Sequence, residues 1–466
     1  MRRWLTGRTS VQVHTWIKKS YQTRSISSLT LKDMSSALRT MAYDVVVSNP
    51  IRAPRVDPGQ SARPDHHLDD AATRFKNPWA SFQFPPAVQF AKAIFHSPSV
   101  PKNIAELIPV IKPTWGVDLN PNEVKATWLG HACYLVELPT PKGATRGPRI
   151  IFDPVFSERC SPFQRVGPAR YTPTPCKLDE IPAIDAIVIS HNHYDHTDSS
   201  TISFLYKRYS PHVFMPLGNK PYLLSLQIPE SHAHVRDWWE ETLVSISLPS
   251  SAPAKSTNQD PDVTKESNPS GMTSSSSSSG DEPVNSKAES VQTSFKLTFT
   301  PGQHVANRGP FDRWKSLWGS WVVEQVHTED KSEGGLIQPK KVYFAGDTGY
   351  RSLLEGQDID LAPTCPAFKE IGEKFGSFDL ALIPIGYVQL WIGVTLIDHM
   401  HVHPSESVRI FQDVNAKKAL AMHWGTWVLT TEPVMEPPEL LKEEAKKIGI
   451  PEGDFDICGL GETRSF

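Results

Sequence analysis

Three imidazoles and a carboxylate crowd into the run Ser190-His191-Asn192-His193-Tyr194-Asp195-His196. Imidazole nitrogen and carboxylate oxygen together suit Zn2+ and similar borderline metals, and they need no thiolate. Four such groups this close cannot easily converge on one tetrahedral ion. Alternate residues point different ways, so His191 and His193 can serve one ion while Asp195 and His196 serve its neighbour. Two ions about 3.5–4 Å apart can clamp both the attacking and the leaving oxygen of a displacement. A single loop histidine is ordinary, but crowding four ligand-grade side chains without a metal is costly.

A two-metal site needs further ligands, and other strand ends supply them. His304 follows the strand-like run 295–300 through Pro301-Gly302-Gln303. Asp347 follows the run 342–345 through Gly346, and His423 directly follows 419–422. Each alone reads as a turn residue. Together they bring the set to seven, and Asp347 can bridge two ions through its two oxygens.

The elements that must hold these residues are short β-branched or apolar runs ending at polar residues. They fall at 149–152, 186–190, 243–248, 295–300, 342–345, 380–384 and 419–422. Pro404-Ser405-Glu406 opens a helix through Val414, and an amphipathic helix is expected over 432–448 with lysines in its last turns. Strands and helices mix without a strict βαβ alternation. That implies a layered α/β (α+β) architecture rather than a Rossmann sheet.

Composition bounds the rest. The 466 residues are 39% hydrophobic and 21% charged, with a net charge of −3, so no global basic field argues for nucleic acid. The five cysteines (Cys133, Cys160, Cys176, Cys365, Cys458) form no C-x-x-C pair, which fits a reducing compartment and neither a disulfide framework nor a thiolate zinc finger. No stretch approaches the roughly 18–20 apolar residues of a membrane-spanning helix. Residues 1–65 read as a leader and proline-broken linker. The first 32 are basic, hydroxyl-rich and free of acids, the composition of a mitochondrial transit peptide. An apolar arm follows over 66–113, with Phe75, Trp79, Phe82, Phe84, Phe90 and Phe95, which either packs on the core or faces lipid. Residues 114–466 form the catalytic domain. It is interrupted at about 250–292 by a Ser- and Pro-rich stretch without aromatics, expected to be a disordered insertion between two strands.

The H-x-H-x-D-H loop followed by isolated His, Asp and His at strand ends resembles the metallo-β-lactamase superfamily. Within it, the chain is similar to the N-acyl-phosphatidylethanolamine-hydrolysing phospholipase D family over about residues 75–440. The matching runs include Phe75-Lys76-Asn77-Pro78-Trp79, Trp128-Leu129-Gly130-His131-Ala132, Asp153-Pro154-Val155-Phe156, Asp237-Trp238-Trp239-Glu240-Glu241, Phe344-Ala345-Gly346-Asp347-Thr348-Gly349-Tyr350 and His423-Trp424-Gly425-Thr426.

The resemblance implies an αββα four-layer sandwich holding two Zn2+ per subunit. One zinc would be held by His191, His193 and His304, and the other by Asp195, His196 and His423, with Asp347 bridging and orienting the nucleophile. Direct attack on phosphorus by metal-held hydroxide would then release an N-acylethanolamine and phosphatidic acid. His401 falls at the family's substrate-pocket histidine, which makes Asp347 and His401 the catalytic candidates and His401 and Tyr194 the substrate contacts. The chain departs from the family in residues 386–397 and in the flanking His399 and His403; His403, just before Pro404, reads as a helix cap. A two-tailed lipid must be met at the bilayer, so the expected partners are a phospholipid and a membrane surface, with no nucleic acid and with a homo-oligomer compatible. The expected location is mitochondrial and membrane-associated, or else cytoplasmic and membrane-associated. Rival readings are a hydrolase of the same fold acting on a lactone, thioester, β-lactam or other phosphodiester, and a non-catalytic lipid-binding protein, which would have lost ligands that this chain retains.

Overall fold

Strict side-chain alternation along the short apolar strands decides the layering. In the computed structural model of the protein, residues 44–52, 64–83, 99–251, 290–309, 311–326, 339–353, 357–359, 361–386, 400–429 and 432–466 are described. The basic leader, Phe84, Phe90, Phe95, almost all of the Ser- and Pro-rich insertion, residues 387–397 and His399 lie outside them.

The chain enters with β1 (Val45–Val47) and β2 (Ile51–Arg52), then a one-turn helix α1 (Ile104–Leu107). Strands β3 (Lys125–Gly130), β4 (Cys133–Glu137), β5 (Arg149–Phe152) and β6 (Ala186–Val188) follow. Then come α2 (Ser199–Tyr209), β7 (His212–Pro216), α3 (Lys220–Ser225), β8 (Ala233–Arg236), β9 (Glu240–Pro249), β10 (Ser290–Thr300), β11 (Ser320–Val326) and β12 (Lys341–Phe344). The last third holds α4 (Ala367–Phe375), β13 (Leu380–Pro384), α5 (Pro404–Asp413), β14 (Ala419–Met422), α6 (Glu436–Lys447), β15 (Phe455–Asp456) and β16 (Thr463–Ser465).

Among the described residues these strands make two sheets. One runs β16-β3-β4-β5-β6-β7-β8, and the other β1-β9-β10-β11-β12-β13-β14-β15, with β2 also on β9. In the first sheet, Ala126, Trp128, Tyr134, Val136, Ile150, Phe152, Val188 and Phe214 turn inward to the large core shared with the second sheet. Their alternates Leu129, Leu135, Ile151, Ile187, Val213 and Met215 turn outward and pack under Ile202 and Leu205 of α2 and Leu223 of α3. The second sheet buries its outer face under Phe368 and Ile371 of α4, Val408 and Ile410 of α5 and Leu441 of α6. The order of layers is thus helix, sheet, sheet, helix, as the motifs led one to expect. Trp128, Trp318 and Trp321 are fully buried in the middle, where truncation of such a ring to alanine costs about 3–5 kcal/mol.

The expected strands at 149–152, 380–384 and 419–422 coincide with β5, β13 and β14. β6 stops two residues before Ser190, because the Ser190 backbone N–H leaves the ladder to donate to Asp153 Oδ1 at 2.7 Å. The last helix begins at Glu436, four residues later than its periodicity suggests, with Pro437 and Pro438 in its first turn, where a missing N–H is harmless. Strands β9 and β10 pair antiparallel out to Pro249 opposite Ser290, so the insertion departs from and returns to one hairpin end.

The described part of the N-terminal arm packs on the protein. Phe75 is fully buried, Trp79 stacks on Trp238 at 5.3 Å, and Phe82 meets Trp314 edge-on. His66 Nε2 lies 2.7 Å from one oxygen of Asp237 and His67 Nε2 lies 3.0 Å from the other, all three being buried. No helix among the described residues is long and apolar enough to cross a membrane.

Candidate metal centre

Every expected ligand follows the end of a strand, one strand in the first sheet and three in the second. The H-x-H-x-D-H loop leaves β6, His304 lies four residues beyond β10, Asp347 three beyond β12, and His423 one beyond β14. Gly346 makes the turn into Asp347 at φ +62, and a Cβ there would sit 2.6 Å from the Ser190 Cβ. Only glycine fits that conformation and that approach.

The structure brings all seven residues together. Asp347 Oδ2 is the focus, with His196 Nε2 and His423 Nε2 at 3.0 Å, His401 Nε2 at 3.6 Å, His191 Nε2 at 3.8 Å and His304 Nε2 at 3.9 Å. On one side, His193 Nδ1 lies 2.9 Å from His191 Nε2 and 3.3 Å from His304 Nε2. On the other, Asp195 Oδ2 lies 3.4 Å from His196 Nε2 and 3.6 Å from His423 Nε2. Two ligand clusters result, His191–His193–His304 and His131–Asp195–His196–His423, while Asp347 also groups with His304 and His401.

A pair of divalent cations fits this donor set. Both oxygens of Asp347 and the Nε2 atoms of His196 and His423 are buried without a hydrogen-bond partner, although imidazoles surround them. Buried polar atoms are rarely left so, and a cation is the partner they lack. The opposite ring nitrogen is engaged in His191, His196 and His304, though not in His423. His191 Nδ1 is 2.9 Å from Ser190 Oγ, His196 Nδ1 is 2.7 Å from Asp153 Oδ2, and His304 Nδ1 donates to the Met400 carbonyl at 2.9 Å. Such contacts fix each ring and its tautomer, leaving the lone pair at Nε2 turned inward. His193 uses the reverse arrangement, with Nε2 3.3 Å from Asn307 Oδ1 and Nδ1 turned inward.

Protonation follows from the same crowding. Burial, and then the neighbouring imidazoles, hold His191 well below its ordinary pKa. Burial likewise lowers His304 and His193, against the pull of nearby carboxylates. Burial works against a charged Asp195 or Asp347, but His196 above all holds both carboxyls well below their usual range. His196 is itself raised despite burial, because Asp347 and Asp195 face it. The carboxylates are thus ionised and His191, His193 and His304 neutral, while a divalent cation would displace the proton that His196 otherwise holds.

Three side chains not singled out as site residues complete the centre. His131, at φ +53 in the β3–β4 turn, reaches Asp195 Oδ2 at 3.1 Å; burial and then His423 push it down to about 3. Asp153, one residue past β5 at φ +38, accepts from Ser190 N, from Ser190 Oγ at 2.6 Å and from His196. Arg308 donates to the carbonyls of Asn192 and Thr197 at 3.0 Å each, gripping the ligand loop from both ends. Tyr194 lies in that loop with its ring 4.1 Å from the Arg308 guanidinium. The sequence signal for His131 and Asp153 was a lone polar residue directly after an apolar strand. His403 is the cap of α5, its Nδ1 accepting from Ser405 N at 3.1 Å, as its place before Pro404 implied. All five cysteines are free thiols.

Comparison with known proteins places this geometry. Residues 148–278 and 281–424 match the beta-lactamase superfamily domain, more than half of the chain. The chain is 30% identical over 324 residues to N-acyl-phosphatidylethanolamine-hydrolyzing phospholipase D 1 of Caenorhabditis elegans, covering 68% of each protein. It is 28% identical over 441 residues to the mitochondrial N-acyl-phosphatidylethanolamine-hydrolyzing phospholipase D of Saccharomyces cerevisiae, covering 84% of this chain and 75% of the relative. Among solved structures, Igni18, a metallo hydrolase from Ignicoccus hospitalis, aligns over 74% of this chain and 98% of its own with 18% identity and a TM-score of 0.40.

Proposed function

From a chain that belongs to the beta-lactamase superfamily and, within it, to the family of the N-acyl-phosphatidylethanolamine-hydrolysing phospholipases D, we propose an enzyme that cleaves N-acyl-phosphatidylethanolamine to N-acylethanolamine and phosphatidic acid. The observation that carries this reading is the convergence of five imidazoles on one buried carboxylate oxygen of Asp347. His191, His193 and His304 would hold one zinc, and Asp195, His196 and His423 the other, with Asp347 between them. Two divalent ions so held would polarise a phosphoryl oxygen and make hydroxide available near neutral pH. They also outweigh the two carboxylates, so the site attracts an anionic phosphodiester.

The protein's own residues set the geometry. Asp347 orients the nucleophile, since both its oxygens are buried among the imidazoles. His401 Nε2 sits 3.6 Å from Asp347 Oδ2, and its side chain is 17% exposed where that of Asp347 is 1%. It is therefore placed to donate a hydrogen bond to a non-bridging phosphoryl oxygen as charge builds there. His131 holds Asp195 from behind, and Arg308 holds the loop that carries four of the ligands.

The substrate carries three acyl chains and stays in a bilayer, so the enzyme works as a peripheral membrane protein. A mitochondrial location rests on the basic, acid-poor leader and on the mitochondrial name of the yeast relative. The test is hydrolysis of N-acyl-phosphatidylethanolamine in liposomes by purified protein, before and after chelation, with both products identified by mass. Activity lost on chelation and restored by zinc is the expected result. If metal-loaded protein leaves that lipid intact, the substrate assignment falls while the metal centre stands.

A further inference from the structure

A narrow cleft, partly open to solvent, lies directly beside the metal centre. His131 and His423 form its base, and its walls are largely apolar, with Val428, Leu429, Val434 and Pro437. Trp424 lines it as well. This indole stacks on Trp128 at 5.2 Å and is only 8% exposed, yet its Nε1–H has no hydrogen-bond partner among the described residues. Trp128 Nε1 and Trp321 Nε1, in fully buried indoles, each reach a backbone carbonyl at 2.9 Å. A buried indole N–H without an acceptor is costly, so its retention in a cleft points to an acceptor brought by the ligand.

We propose that this cleft is the subsite for the N-acylethanolamine half of the substrate, with Trp424 Nε1 donating to the amide carbonyl and the apolar walls taking the start of the acyl chain. The inference rests on the phospholipase D reading. In that lipid the amide lies two methylenes from the scissile ester oxygen, so the amide must sit immediately beside the metals, and the cleft begins at the His423 ring. Trp424 is thereby a specificity determinant. It favours an amide carbonyl over a head group that offers no acceptor there, such as the ammonium of unacylated phosphatidylethanolamine.

The test compares wild type with Trp424→Phe, which keeps an aromatic ring and deletes the donor. Two probes are used: the N-acyl lipid and an analogue of equal length in which an alkyl ether replaces the amide. Wild type is expected to favour the amide by tenfold or more in kcat/KM, and Trp424→Phe to lose most of that preference by its effect on the amide alone. An unchanged amide-to-ether ratio in Trp424→Phe, or better turnover of unacylated phosphatidylethanolamine by wild type, overturns the subsite while leaving the phospholipase activity standing.

Equilibrium binding of short N-acylethanolamines to the metal-loaded protein separates the two claims. Amide-selective binding that depends on Trp424, in a protein that does not cleave the lipid, keeps the subsite and removes the phospholipase reading. Leu429→Trp covers the case in which Trp424→Phe does not fold. Leu429 is 36% exposed at the cleft, so the larger ring is tolerated there and should lower affinity for longer acyl chains more than for N-acetylethanolamine. Equal loss for all chain lengths would overturn the placement of the chain.

Discussion

Replacing Asp153 by asparagine keeps the shape of the side chain and removes one acceptor. Oδ1 of Asp153 takes the Ser190 backbone N–H at 2.7 Å, while Oδ2 takes the Ser190 hydroxyl at 2.6 Å and His196 Nδ1 at 2.7 Å. An amide has a single acceptor oxygen. Whichever way it turns, its NH2 group faces a donor: the Ser190 N–H in one orientation, the hydroxyl and the imidazole in the other. Backbone strain does not confound the result, because φ at Asp153 is +38 and asparagine enters the left-handed region as readily as aspartate. The lost contact is a charge-assisted hydrogen bond worth about 1.5–3 kcal/mol. Carboxylates that orient metal-binding histidines contribute about 10–100-fold to metal affinity, and since tenfold is about 1.4 kcal/mol the two magnitudes agree. Competition with a chromogenic chelator should therefore show Asp153→Asn binding zinc about 10–100-fold more weakly at the His196 side. Turnover should fall with occupancy and recover in excess metal. A folded variant with unchanged zinc affinity would refute the claim that Asp153 sets the His196 ring.

Other perturbations probe other parts of the molecule. Asp347→Ala should abolish turnover even in excess zinc, and retained activity in the variant would sink its central role. Gly346→Ala combines a left-handed φ with a Cβ 2.6 Å from that of Ser190, so it should cost about 2 kcal/mol or more in thermal denaturation and displace Asp347; a normal melting curve with full activity would contradict this. Arg308→Ala should leave the fold intact but lower kcat several-fold by loosening the ligand loop, and an unaltered kcat would show that the two carbonyl contacts are dispensable. Burial alone would raise Asp237, but hydrogen bonds from His66 and His67 hold it below its usual range. A depressed carboxyl stabilises fully above its unfolded value of about 4 and loses that contribution as pH falls through the folded value. Asp237→Asn should thus be less stable by about 1.5–3 kcal/mol at neutral pH, and its gap to wild type in urea midpoint should narrow progressively as pH falls below about 4; a gap that does not vary with pH would argue against the pairing.

What the sequence disclosed follows from how local each feature is. The convergence of the side chains at 191–196, 304, 347 and 423 was readable because apolar runs mark strands, and a polar side chain where a run stops stands at a strand end. The runs themselves gave only a layered mix of strands and helices; the four-layer order came from the family resemblance. His131 and Asp153 stand at strand ends too, but neither has a second ligand at close spacing. Their partners, Asp195 and His196, are brought to them by sheet pairing rather than by chain neighbours. Arg308 was silent because it touches backbone carbonyls, which leave no trace in residue type. The start of the last helix was misplaced because hydrophobic periodicity does not mark the cap, whereas the proline pair in its first turn does.

The β9–β10 pairing also makes this chain a convenient chassis. Pro249 and Ser290 face each other at the closed end of a ladder whose other end runs on towards His304. At about 3.3–3.4 Å per residue, nine paired positions put nearly 30 Å between that end and the chemistry. A two-residue reverse turn should bridge the pair directly, and a fluorescent protein or affinity tag with adjacent termini should be accepted in the same place. The hairpin end is thus a permissive graft point from which the enzyme can be tracked or tethered on vesicles while its catalytic edge is left alone.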